Sequence, residues 1–471
     1  MDSLKFGTSG LRGLAVDLMG PPSARYARAF LDYLAGRGLL QAGDRVLVGR
    51  DLRASSPAIA EAVIGAIGAA GALAVDCGEL STPALALAAQ EAGAPAIMVT
   101  GSHIPADRNG LKFYIAAGEI TKADEAGIVE SLQRVAGVNA SDAPALAMPE
   151  ARTRYLDRYR AAFRPGLLAG RRLGVFQHSS VLRDDLAELL EALGATVVAL
   201  GRADHFVPID TEALGATDVA SAHDWVKAHR LDALVSTDGD ADRPLLADET
   251  GNFIRGDMLG ILTALFLGAD AVVTPVTSNS SIEGLGRFSK VVRTKVGSPF
   301  VIAGIGEALR DGAAVVVGFE ANGGVLLGSA ASIAGKPIAA LPTRDALLPI
   351  LSVLAAAQAA GKTVSQLVAT LPARIARSDR LEHVPQERTA ALLADLGKPA
   401  LAAAFFSGVG AIASVSALDG LRFVLKSGDV IHYRASGNAP EMRCYTEAGT
   451  VERADALLAW GLDAAERVVR T

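Results

Sequence analysis

Ala96-Ile97-Met98-Val99-Thr100-Gly101-Ser102-His103-Ile104-Pro105-Ala106-Asp107-Arg108-Asn109-Gly110 runs from an unbroken apolar tetrad into a small polar loop. A short apolar run without alternation reads as a strand buried on both faces, the kind that parallel sheets contain. Upstream, Arg45-Val46-Leu47-Val48-Gly49 and Ala72 to Val75 read as further strands of the same sheet. Between them Ser55-Ser56-Pro57 opens a helix that reaches about Ala70, with serine as the cap and proline in the first turn. Strand and helix signals in alternation argue for α/β layers.

The pattern restarts twice. Arg172 to Phe176, Thr196 to Leu200 and Leu231 to Ser236 read as strands, with a helix over Asp184 to Leu193. Ala271 to Val273, Lys290 to Arg293 and Ala313 to Val317 form a third set. Each unit ends its last strand in a polar loop: Gly101-Ser102-His103, then Asp238 to Arg243, then Gly318 to Gly324. Open α/β sheets bind ligands beyond the carboxyl ends of their strands, so the three loops are expected to share one cleft. Asn139 to Pro149 reads as a linker. From about Arg374 the style changes to amphipathic helices, a hairpin from Gly410 to Val430 and a last helix near Val451 to Val469. The expected fold class is α/β, with three similar mixed-sheet domains over 1–148, 149–254 and 255–370. A smaller α+β domain over 371–471 completes it.

Bulk properties narrow the function. A chain of 471 residues exceeds what one core fills, and 50% hydrophobic with 20% charged residues fits a globular enzyme. The net charge of −6 and the lack of basic runs with interleaved aromatics speak against nucleic acid as a partner. Ala62 to Val75 and Leu259 to Ala269, the longest apolar windows, are too short to span a bilayer, so no membrane partner is expected. Only Cys77 and Cys444 occur, without CxxC spacing, and Met1 to Lys5 opens no signal peptide. These features predict a cytoplasmic protein with reduced thiols.

Asp238, Asp240 and Asp242 stand at i, i+2 and i+4, which in an extended loop puts three carboxylates on one side. Carboxylates that close repel unless a hard cation joins them, and all-oxygen ligation suits magnesium. A calcium loop is the rival, because Glu249 falls at the twelfth position from Asp238. Arg243 stands where that loop requires glycine, Pro244 follows, and a strand-like run precedes. Ser102 alone is more often a turn residue than a nucleophile, but beside a metal loop it becomes a candidate phosphoryl acceptor. His103 is too near in sequence to form a protease-type triad with it, and stays a candidate catalytic group of the same loop. Lys112 is a candidate proton shuttle, with a surface lysine as the plain alternative.

Arg434-Ala435-Ser436-Gly437-Asn438-Ala439-Pro440-Glu441-Met442-Arg443 offers two guanidinium groups, a hydroxyl and an amide, a set fit to hold a dianion. A hairpin with incidental arginines explains it equally well. Glu320 and Asn322, among Gly318, Gly323 and Gly324, suit vicinal sugar hydroxyls, or simply a glycine-rich turn.

Taken in order, Phe6-Gly7-Thr8-Ser9-Gly10-Leu11-Arg12-Gly13, the serine loop, the aspartate loop, the glycine-rich loop and the arginine loop resemble the α-D-phosphohexomutase superfamily. The resemblance spans essentially the whole chain and is greatest to the bacterial phosphomannomutase/phosphoglucomutase branch. It implies a heart-shaped, four-domain enzyme with a central cleft. Such an enzyme interconverts hexose 6-phosphate and hexose 1-phosphate through a phosphoserine and a bisphosphate intermediate. Mannose phosphate is the implied substrate and glucose phosphate a second one, with phosphoglucosamine mutase or a metal-dependent sugar phosphatase as alternatives. By the same match Ser102 carries the phosphoryl group and, with Asp238, Asp240 and Asp242, holds Mg2+. Arg243 supports that loop, Arg12 and Lys112 take acid/base or phosphate-polarising roles, and Glu320 binds the sugar. Arg434, Ser436, Asn438 and Arg443 form the distal phosphate site. A hexose 1,6-bisphosphate is the implied activator, sugar monophosphates are the partners, and the chain acts as a monomer or homodimer. Three positions depart from the pattern: Ala241 for a commoner glycine, Asn322-Gly323-Gly324 for Ser-Gly-His, and Ser298 for a histidine.

Overall fold

The computed structural model describes residues 3–7, 9–138, 144–372, 374–435 and 440–470. In the first unit β1 (Arg45–Arg50), β2 (Leu73–Glu79), β3 (Ala96–Val99) and β4 (Arg108–Ile115) lie in the order β2-β1-β3-β4. β1 is parallel to β2 and β3, and β4 returns antiparallel to β3. The second unit repeats that plan with β5 (Arg172–His178), β6 (Thr196–Arg202), β7 (Ala233–Thr237) and β8 (Pro244–Ala247), ordered β6-β5-β7-β8. The third does so with β9 (Ala271–Pro275), β10 (Lys290–Thr294), β11 (Val316–Phe319) and β12 (Val325–Leu327), ordered β10-β9-β11-β12. In both, the third strand is parallel to the first and the fourth is antiparallel to the third.

The polar loops therefore follow the third strand of each unit, not the last. A reversing strand leaves each loop and anchors its far end. The first sheet grows to eight strands by adding Lys5–Phe6, Leu11–Leu14, Gly118–Glu119 and Leu146–Ala147. The third adds Leu341–Asp345 beside β12.

Alternation along the central strands explains the apolar runs. Val46, Val48, Ile97 and Val99 enter one core with Ile59, Val63 and Ile67 of helix Ser56–Ala69. Leu47, Ala96 and Met98 enter the opposite core with Leu85 and Leu87 of helix Thr82–Ala92. That second core continues through Val175 of the second unit and Val272 of the third, so the three units share one interior.

The tail is separate. β13 (Ile375–Leu381), β14 (Ile412–Ser416), β15 (Leu421–Leu425), β16 (Val430–Ala435) and β17 (Met442–Ala448) form an antiparallel sheet ordered β13-β17-β16-β15-β14. Helix Val451–Val469 covers it, and Phe406, Phe423, Tyr433 and Leu457 form its own core. Polar bonds join it to the third unit, among them Asn279 Nδ2 to the Arg374 carbonyl (2.7 Å) and Val296 N to Asp419 Oδ2 (2.9 Å). A polar junction of this kind permits the tail to shift as a body.

Three local expectations change. Ser55 makes no cap to its helix; its hydroxyl instead accepts Nδ2 of Asn109, near the start of β4, at 2.8 Å. Leu146–Ala147, expected in a linker, pairs with the edge strand β2, while 139–143 lie outside the described residues. The third-unit strand begins at Val316, three residues past Ala313. Among the described residues no single helix is long and apolar enough to cross a membrane.

Candidate active site

The Ser102 loop is shaped from outside. Arg53, 1% exposed, sends Nη2 to the carbonyls of Ser102 (2.8 Å) and Ile104 (2.6 Å) and Nη1 to those of Pro105 (2.7 Å) and Arg108 (2.9 Å). Its guanidinium stands 3.8 Å over the Phe206 ring from the second unit, a cation–π contact. A Cβ at Gly101 would lie 2.8 Å from the Arg53 guanidinium carbon, so only glycine admits this approach. Thr100 Oγ1 accepts Ser102 N at 2.8 Å and donates to Asp51 Oδ2 at 2.7 Å. Ser102 is thereby held left-handed (φ 55°), which orients Oγ toward the second unit.

The Asp238 loop shapes itself. It is a tight turn, not an extended segment, with Ala241 left-handed at φ 57°. Asp238 N donates to the Arg243 carbonyl (3.0 Å), Ala241 N to the Asp238 carbonyl (3.2 Å) and Arg243 N to Asp238 Oδ1 (3.1 Å). The three carboxylates still converge, and one oxygen from each lies within 4.8 Å of the others. Ser102 Oγ donates to Asp238 Oδ2 at 2.6 Å, which joins the two loops across 136 residues. A Cβ at Gly239 would stand 3.1 Å from the Ser102 carbonyl and 2.7 Å from the Phe206 ring, so that contact also needs glycine.

Partners leave room for a cation. Lys112 Nζ lies 2.6 Å from both Asp240 Oδ2 and Asp242 Oδ2, and Thr82 Oγ1 also donates to Asp240 Oδ2. Arg344 donates to Asp242 Oδ2 at 2.8 and 3.0 Å. Asp240 Oδ1 and Asp242 Oδ1 are buried and have no hydrogen-bond partner. Two orphaned carboxylate oxygens, Asp238 and a hydroxyl make a donor set that fits Mg2+. Burial first, then Asp240 and Asp242, raise the Asp238 pKa well above the carboxylate range. For Asp242 burial acts in the same direction, but Arg344, Lys112 and Arg243 outweigh it and hold its pKa far below that range.

Lys112 is 3% exposed on β4, so it is no surface lysine. Burial alone would strip its proton, yet Asp240 and Asp242 outweigh that and raise its pKa. It is thus an ammonium group, poor at accepting a proton. Arg12, paired with Gly110 in the sheet, enters the same cleft with its pKa lowered to about 10 by burial, then by Arg243 and Arg344. His103 Nδ1 lies 3.3 Å from Ser102 Oγ, and burial, then Arg243 and Arg12, drive its pKa far below the imidazole range. Arg243 is buried with Nε 3.7 Å from Asp242 Oδ1.

The third loop and the tail close the cleft. Glu320 Oε2 accepts Arg344 Nη1 at 3.0 Å, so Arg344 clamps the Glu320 carboxylate to Asp242. Asn322 faces the cleft, but its Oδ1 accepts Gly324 N at 3.0 Å and so holds its own turn. Arg434 and Arg443 sit directly opposite each other on β16 and β17, so the arginine segment is both a hairpin connection and a pair of cleft cations. Like charges opposed across strands destabilise a sheet unless an anion lies between them. Asp419 Oδ2 accepts Arg434 Nε at 2.8 Å, and Arg443 Nε is buried without a hydrogen-bond partner. Ser436 and Asn438 lie outside the described residues. The cleft, about 140 Å³, is thus lined by Arg12, Arg243, Arg344, Arg434 and Arg443 with His103, Glu320 and Asn322.

Some expectations fall elsewhere. Glu249 bonds to Ser365, outside the aspartate group, so the twelfth position of a calcium loop is not supplied. Ser298 Oγ donates to Glu119 Oε2 at 2.5 Å between the first and third units, and Val296 of that segment lines the cleft instead. Arg53, Thr82, Asp210, Glu212 and Arg344 were not singled out from sequence. Arg53 and Arg344 both stand at carboxyl ends of strands, in Gly49-Arg50-Asp51-Leu52-Arg53 and Leu341-Pro342-Thr343-Arg344-Asp345, and that position was the available signal.

Known proteins resemble this chain in sequence and fold. Residues 3–137 match the model described as phosphoglucomutase/phosphomannomutase, alpha/beta/alpha domain I, and residues 255–375 match domain III of the same family. A phosphomannomutase of Sinorhizobium fredii is 48% identical over 468 residues, covering 97% of this chain and 98% of its own. One from Salmonella muenchen is 44% identical over 461 residues, covering 96% and 93%. The crystal structure of a putative phosphomannomutase from Thermus thermophilus superposes with a TM-score of 0.76 at 23% identity, covering 100% and 99%.

Proposed function

The chain belongs to the phosphoglucomutase/phosphomannomutase family, an enzyme family of phosphoryl-transferring mutases, and we propose that it interconverts mannose 6-phosphate and mannose 1-phosphate. Glucose phosphate is the second substrate in this reading. The observation that carries it is the 2.6 Å contact of buried Ser102 Oγ with Asp238, beside His103 and Arg243, which line a cleft together with four further arginines. A nucleophile, a cation-binding trio and an opposed anion cradle in one cleft exceed what binding alone requires.

In this reading Ser102 carries a phosphoryl group and passes it to the free hydroxyl of the sugar phosphate. Arg434 and Arg443 hold the distal phosphate, joined by Ser436 and Asn438, while Glu320 and Asn322 receive the ring. Asp238, Asp240, Asp242 and an oxygen on Ser102 would hold magnesium, which when bound offsets charge on the transferring group. Arg12, Arg243 and the Lys112 ammonium add to that offset. His103, adjacent to Ser102 Oγ, accepts the hydroxyl proton; a dianion on Ser102 lifts its basicity. The bisphosphate then turns end over end and returns its other phosphate to Ser102, and a hexose 1,6-bisphosphate primes the cycle. The polar junction of the tail supports a hinge that opens for this rotation. The four main sheets and the tail's own core support domain cuts after 148, 254 and 370. Two free, buried cysteines support a cytoplasmic location.

The test is a coupled assay of magnesium-dependent conversion of the 1-phosphates of mannose, glucose and glucosamine with trace bisphosphate. Fastest conversion of mannose 1-phosphate is expected. Stoichiometric phosphate release without isomer would make the protein a phosphatase. Glucosamine 1-phosphate as the sole converted substrate would make it a phosphoglucosamine mutase. Arg434→Ala should weaken mannose 1-phosphate binding by about 2–5 kcal/mol in calorimetry.

A further inference from the structure

The cleft holds a carboxylate that the reaction above leaves unused. Glu212, in the connection between β6 and β7, lines the main cleft and an adjoining cavity of about 120 Å³ that also meets Arg380 and Arg443. Glu212 is exposed, and among the described residues its carboxylate makes no hydrogen bond or ion pair, while two bonds tether its segment. Thr211 Oγ1 donates to the Asn322 carbonyl at 2.9 Å, which ties this segment to the sugar loop. Glu212 N donates to Asp210 Oδ1 at 3.0 Å, and that oxygen lies 4.0 Å from Arg243 Nη1. Arg243 and Arg443 attract Glu212, while Asp210 and Glu320 repel it.

The cleft therefore carries both signs of charge. Its arginines suit a phosphate, and its carboxylates suit groups that donate protons. An exposed, unpartnered carboxylate at the edge of a sugar-sized cleft accepts bonds from ring hydroxyls and is an electrostatic barrier to a second anion. Resting on the sugar-phosphate reading, we infer that Glu212 is a specificity-determining residue: it accepts hydroxyls of a neutral ring and rejects a ring that carries its own carboxylate.

The test uses the full chain with Ser102→Ala, so that nothing turns over, and magnesium present. Calorimetry compares glucose 1-phosphate with glucuronic acid 1-phosphate, which differ by that carboxylate. The parent should prefer glucose 1-phosphate by about 20-fold or more, and Glu212→Gln should narrow the ratio by at least about fivefold. Thr211→Val, which frees the segment but keeps the charge, should narrow it less. A ratio that moves by less than about fivefold in Glu212→Gln overturns the assignment. If neither sugar phosphate binds the parent while inorganic phosphate does, the sugar-phosphate reading itself fails, and this inference with it.

Discussion

The Ser102 loop and the Asp238 loop occupy the same place in two units of one strand order, yet they are braced in opposite ways. The first is held by a residue 49 positions upstream: Arg53 takes four of its carbonyls and rests on a ring from the other unit. The second closes on its own backbone through Asp238 and Arg243, and it uses its side chains outward. A loop whose carboxylates must meet gains from being a closed turn. The loop that presents one hydroxyl has internal bonds too, such as Ile104 N to the Gly101 carbonyl (3.3 Å) and Arg108 N to the Pro105 carbonyl (3.1 Å), and it borrows further rigidity from Arg53. The turn of the acidic trio is thus local, although Thr82, Lys112 and Arg344 from the other units bind its carboxylates, whereas the nucleophile's loop takes its main brace from Arg53.

The largest effect tests whether the borrowed rigidity serves the hydroxyl at all. Ser102→Ala should lower mutase turnover by at least about 10⁴-fold while calorimetry still detects sugar-phosphate binding. Near-normal turnover would leave the loop without a chemical purpose. Next comes Arg53→Met, which leaves buried carbonyls unpaired and should cost about 3–5 kcal/mol in denaturant unfolding. Arg53→Lys should recover only a minor part, because an ammonium lacks the planar fork that serves four acceptors. In either variant kcat should fall more than KM rises. Thr82→Val is the matching cut at the second loop, since Thr82 donates to Asp240 from outside. It should cost about 1–2 kcal/mol and leave kcat within a few-fold. An Arg53 variant milder than Thr82→Val would reverse the contrast.

The same contrast explains what was legible in the sequence. Strands such as Ala96–Val99 announced themselves because both faces are buried, and each polar loop stood out against its apolar strand. The aspartate trio was readable as a local pattern, although a turn at Ala241 and not an extended run brings it together. Arg53, Thr82 and Arg344 were not readable, because their partners lie far along the chain: Asp240 is 158 residues from Thr82 and Asp242 is 102 from Arg344. Lys112 was found, but its burial between two carboxylates depends on the second unit docking on the first. The loop locations within each sheet were missed by one strand, since β8 and β12 are only four and three residues long and β4 carries Arg108, Asn109 and Lys112 among its apolar residues.

The smallest expected effect is the sharpest check on local bracing. Ala241 is left-handed at φ 57°, and it is fully buried where the family pattern commonly has glycine. A non-glycine residue in that region carries about 1 kcal/mol of strain, which Ala241→Gly removes. The lost methyl gives back about 0.8 kcal/mol of burial, and the freer unfolded chain costs about 0.5–1 kcal/mol. Stability should therefore change by no more than about 1 kcal/mol, with kcat unchanged, because bonds from Asp238 and Arg243 set the turn. A loss above about 2 kcal/mol, or a fall in magnesium affinity, would show that the methyl is part of the brace. The second loop would then depend on packing from its neighbours as the first does.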